Sequence, residues 1–167
     1  MKQETYTQTD NSTLTHPEKP SFVVKWNELE RFVEETFTQP AENAIDTLLR
    51  ISKKLKRHKA LHYAGFDDKE ELKTIYDEDL PRRVQFVSEK IAQNFLQGQQ
   101  ENVYRKDISR EMVARNYAKR MMDLHNPKIF PPKKVSFQTI YTMLFDDFIK
   151  SISNQNGLRY YEQVVQY

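Results

Sequence analysis

No cysteine occurs in this chain. That removes disulfides, thiolate zinc sites and cysteine nucleophiles, and nothing in the sequence requires an oxidising compartment. Glycine is nearly as scarce, at three residues, too few for the turns of an all-β fold. No apolar run approaches the ~20 residues that cross a bilayer as a helix. A dominant charge is missing too: 26 Lys and Arg against 24 Asp and Glu leave a net charge of +2. No global field therefore draws the chain to nucleic acid or to an anionic membrane. The opening stretch MKQETYTQTDNSTL has one leucine and carries Glu4 and Asp10, so neither a secretory signal nor a mitochondrial presequence is expected, and the expected location is cytoplasmic. A glycine-rich phosphate loop and a paired nucleophile and base are also absent from the sequence.

What is present reads as helix. Hydrophobic residues make up 38% and charged residues 30%, so part of the chain must be solvated. Residues 1–21, ending in His16-Pro17-Glu18-Lys19-Pro20, form a polar tail with too little apolar surface to fold alone. Residues 22–167 are expected to form one all-α domain of six to eight helices. Trp26 reads as a core anchor. A helix over Asn27–Phe37 carries Leu29, Phe32, Val33 and Phe37 on one stripe. A second is expected over Ala41–Lys59, with Pro40 in its first turn, Ile45, Leu48, Leu49 and Leu55 inward, and lysines and Arg57 at its negative end. Gly65 reads as a stop, and Asp67–Asp79 as a short helix inside a long connection. Pro81 opens a helix with Val84, Val87, Ile91 and Phe95 inward, which Gly98 closes. Asp107 or Ser109 caps the next, burying Val113, Tyr117, Met121 and Leu124, and Asn126-Pro127 stops it. KIFPPKK is an extended connector. Ser136 caps a helix with Phe137, Ile140, Leu144, Phe148 and Ile152, which Asn156-Gly157 ends. LRYYEQVVQY is a final helix or tail.

Candidate chemistry is thin, and no cofactor or metal is expected. His58 and His62 are four apart, but zinc needs three or four ligands and the intervening residues supply no glutamate. Asp67/Asp68 and Asp146/Asp147 are adjacent pairs whose members point in different directions, which is not the buried, tuned pair of acid–base catalysis. The run Lys53–Lys59 suits phosphate contact but equally suits a solvated helix end beside an acidic segment. DISREMVARNY and KVSFQTIYTML each begin like a DNA recognition helix, as does any serine-capped helix, and Asp146 and Asp147 would repel DNA in the second.

Four stretches carry a family likeness. FVEETFTQPAENAIDTLLRISKKLKR places Glu42-Asn43 before a lysine-ending helix. KIAQNFLQ, DISREMV at Asp107–Val113 and IYTMLFDD at Ile140–Asp147 follow, the last leading into FIKSI and a tyrosine-rich end. In order, over about residues 27–165 and allowing an insertion of about twenty residues around Asp67–Asp79, they resemble the regulator of G-protein signalling (RGS) domain. The resemblance implies an all-α domain that binds the switch regions of a GTP-bound Gα subunit and speeds hydrolysis by positioning alone. It implies partner contacts at Glu42, Asn43, Asp147 and Ser151. Two positions depart from the family. Its asparagine before the Asp-x-Ser-Arg-Glu segment is replaced, with Arg105 or Lys106 nearby, and its arginine four residues after the aspartate falls on Ser151. A cation cannot mimic an asparagine amide, and losing the arginine removes a charge-assisted bond to the aspartate. The resulting expectation is a non-enzymatic interaction domain with weak or absent GTPase-activating activity. Two other classes compete with it. One is a small accessory or structural subunit of a large assembly, cytoskeletal, axonemal or organellar, motivated by the proline-paired tail and aromatic end. The other is a helical nucleic-acid-binding protein.

Overall fold

A computed structural model describes residues 22–57, 79–124, 129–131, 134 and 136–165. The expected polar tail, the histidine pair, Gly65, the Asp67–Asp79 helix (Asp79 apart) and the Asn126-Pro127 stop lie outside the described residues. Six helices account for nearly all the rest: α1 Phe22–Thr38, α2 Ala44–Arg57, α3 Leu80–Gln100, α4 Arg110–Asp123, α5 Phe137–Ile152 and α6 Gln155–Val165. Among the described residues the only β-type pairing is an isolated antiparallel bridge between Tyr104 and Ser153. The all-α class read from the sequence is what the chain adopts.

Local signals set most boundaries. Ser109 accepts from the Met112 N–H at 3.3 Å and starts α4, while Asp107 instead forms a bidentate pair with Arg105. Ser136 accepts from the Thr139 N–H at 3.2 Å and starts α5. Pro81 sits in the first turn of α3, where its missing N–H costs nothing.

Four boundaries differ from expectation. Helix α1 begins five residues before Asn27, because nothing between Pro20 and Asn27 breaks a helix. Helix α2 starts at Ala44 rather than Ala41, because the Asn43 amide oxygen accepts from the Ile45 and Asp46 N–H groups at 2.9 and 3.2 Å. Pro40 is left outside, its carbonyl taken by Arg50. Gly98 lies inside α3, not at its end. It is needed there because a β-carbon would fall within the Tyr104 ring. Asn156-Gly157 does not end α5 but forms the first turn of α6, where Asn154 accepts from both their N–H groups.

The core draws on all six helices. Trp26 and Leu29 of α1, Ile45, Leu48 and Ile51 of α2, and Ile91 and Phe95 of α3 are buried in it. So are Tyr117, Met121 and Met122 of α4, five apolar residues and Tyr141 of α5, and Tyr161 of α6. Leu49 and Leu55 are only partly buried, whereas Ser52 is fully so. The most extensive helix–helix contact is between α3 and α4. The buried small residues Ala114 and Ala118 of α4 are what so close an approach needs. Arg83 of α3, 1% exposed, bonds Glu30 of α1 at 3.0 Å and lies over the Trp26 ring. A buried guanidinium is tolerated only when paired in this way.

The turn after α3 is tied to the junction of α5 and α6. The Arg105 N–H donates to the Ile152 carbonyl at 2.9 Å and the Asn154 N–H to the Val103 carbonyl at 3.1 Å. The start of α4 therefore lies beside the end of α5. With the Tyr117 and Phe148 rings 4.0 Å apart, the two helices run antiparallel.

Candidate functional site

Antiparallel α4 and α5 leave a depression of about 290 Å3 between them. Its apolar lining comes from Val113, Tyr117, Leu144, Phe148 and Ile152, and its polar lining from Asn116, Arg120, Asp147 and Ser151. Helical spacing explains the set. Met112, Asn116 and Arg120 follow one another at steps of four on α4, and Met143, Asp147 and Ser151 do so on α5. All six are exposed, and Met112 and Met143 are 66% and 63% so.

The neighbouring aspartates have opposite fates. Asp146 bonds the Lys150 ammonium at 2.8 Å and meets the Tyr161 hydroxyl. Asp147, a further 100° round the helix, faces the groove, makes no hydrogen bond or direct ion pair among the described residues, and interacts with Lys150 through its charge alone. Arg120 and Asn116 side chains are likewise unpartnered there. The Arg105 guanidinium comes within 3.5 Å of the Ser151 carbonyl at the groove's end. A cation thus stands close in space to Ser151, though it is held by Asp107.

Glu42 and Asn43 occupy a second location, at the start of α2. Asn43 is buried and its amide is used as the helix cap. Glu42 is exposed and accepts from the Tyr160 hydroxyl at 3.2 Å. Burial, then Glu42 and the nearby Asp46 charge, push the Tyr160 phenol up to about 12. Glu101 completes this pole by accepting from the Ala44 N–H at 2.7 Å, a carboxylate at the positive end of α2. Of the four residues named from the sequence, the structure thus brings Asp147 and Ser151 together at the groove and places Glu42 and Asn43 together at the helix start. Asn116 and Arg120 escaped the sequence reading. Polar residues on the outer face of an amphipathic helix carry no signal until the facing helix is known.

The interior holds little that could do chemistry. Burial raises the Tyr117 phenol well above its usual range and pushes Tyr141 up to about 12. The Tyr141 hydroxyl hydrogen-bonds both Ser52 and Tyr117. An apolar cavity between α1, α2 and α3, floored by Tyr117, Met121 and Phe145, measures about 70 Å3. That is under half of the ~150 Å3 that admits a benzene ring. Among the described residues no three His, Cys, Asp or Glu side chains converge to hold a metal ion, and no helix is long and apolar enough to cross a membrane. No family model, curated protein or solved structure matches the chain.

Proposed function

We propose that this chain is a non-enzymatic protein-interaction module of RGS-like type, working through the α4/α5 groove, with a Gα subunit as the partner to test first. One observation carries the reading. Asp147, Asn116 and Arg120 make no hydrogen bond or direct ion pair among the described residues and stand around an apolar floor that includes the Tyr117 and Phe148 rings, while adjacent Asp146 is directly bonded. Exposed polar groups with free valences beside apolar surface are the raw material of an interface. GTPase activation is weak or absent in this reading. Ser151 offers no guanidinium to hold Asp147, and Arg105 is committed to Asp107.

The test is binding of the full chain to Gα loaded with GDP and aluminium fluoride, with GTP turnover followed in parallel. A complex should form at or below tens of micromolar. Asp147→Arg should weaken it at least tenfold, about 1.4 kcal/mol, with little change in turnover from either form. Absence of a complex at that concentration removes the Gα assignment.

A further inference from the structure

We infer that the α4/α5 groove takes a partner segment presenting one acidic and one basic side chain beside an apolar residue. This rests on the interaction-module reading above and names the chemistry of what that surface holds. Arg120 stands on one wall and Asp147 on the other, both exposed and both lining one depression; neither makes a hydrogen bond or a direct ion pair with a described residue, and Lys150 acts on Asp147 only through its charge. Water satisfies both in the free protein. A segment that seats an apolar group on Val113 and Phe148 displaces that water, and each charge must then find a partner or its desolvation opposes binding.

Each occupant of simpler chemistry fails on one wall. A neutral apolar segment strands both charges. An anion such as a nucleic-acid phosphate suits Arg120 but faces the Asp147 carboxylate, and a purely basic segment suits Asp147 but faces Arg120. A carboxylate fits the donor-only fork of Arg120, an ammonium or guanidinium fits acceptor-only Asp147, and the Asn116 amide, donor and acceptor at once, can bond the backbone between them.

The test is selection of a displayed library of random 12-residue peptides on the full chain. Enriched peptides should carry an acid and a base beside an apolar residue. They should bind Asp147→Arg and Arg120→Glu at least tenfold more weakly. A peptide with its two charges exchanged should regain affinity for the double variant Arg120→Glu/Asp147→Arg. Both side chains are exposed, so these variants should melt as the parent does, and Arg120→Gln and Asp147→Asn give the same readout without charge reversal. Enrichment of peptides lacking the charge pair, equal binding to parent and variants, or no enrichment at all would each overturn the inference. Failure of Gα to bind while charge-paired peptides are enriched would remove only the Gα assignment.

Discussion

Gly98 shows how one atom can decide a turn. In an open helix interior, replacing glycine by alanine gains about 1 kcal/mol of helix propensity. Here the added methyl would enter the ring of Tyr104, which is fully buried, stacked on Phe95 and bonded through its hydroxyl to Asn94. The ring has nowhere to go, so overpacking wins. Gly98→Ala should lower stability by about 1–3 kcal/mol, seen as a lower midpoint of urea unfolding. A stabilised variant would show that Tyr104 does not occupy that space. The same scale separates Asp146 from Asp147, one residue apart and alike in sequence. Their adjacency was legible as divergence, but which of them is spent inside the fold depends on Lys150 and Tyr161, and only the second of those is beyond helical reach.

At the scale of elements, the sequence was most informative where the cause is local. Ser109 and Ser136 were readable as caps because the bond each makes lies three residues ahead. The stripes of α4 and α5 were readable because steps of three and four share a face. Readings failed where the reason lies elsewhere in the chain. Gly98 looked like a stop because Tyr104 was not yet beside it. Asn156-Gly157 looked like a terminator because the role of Asn154 as a cap depends on the turn that Val103 closes. Arg83 carried no signal in the sequence, yet it is the deepest charge in the described structure, joining α3 to α1 through Glu30. Burial lowers the readiness of that guanidinium to stay charged, and Glu30 and Asp79 oppose the loss. Glu30→Ala should therefore cost about 3 kcal/mol by stranding the cation, and Glu30→Leu/Arg83→Met should cost less than that single change. Thermal unfolding of the three proteins checks the order. At the head of α2, Asn43→Ala should cost about 1 kcal/mol through the lost cap, measurable in the same experiment.

For the whole molecule, the buried phenols set an alkaline limit. Tyrosines titrate near ~10 in an unfolded chain, whereas Tyr141 is pushed up to about 12 and Tyr117 is raised well above its usual range, burial being the first cause for both. Between those values the unfolded state has released protons that the folded state keeps, so stability falls as pH rises. The contribution is fully present below pH ~10 and is lost on the way through about 12. Denaturant midpoints should be flat on the approach to pH 10 and then drop, and Tyr141→Phe should soften the drop. The net charge of +2 supplies no global field for phosphate-driven binding. Any association with DNA should be negligible, and a steep fall of measured affinity with salt would reverse that view. The proposed reading is that the molecule acts by contact, through the groove around Asp147. Amide hydrogen exchange of the full chain, free and mixed with Gα loaded with GDP and aluminium fluoride, tests it most directly. The account predicts added protection concentrated in residues 112–120 and 143–151; protection confined to other helices, with those two stretches exchanging as in the free chain, would contradict it.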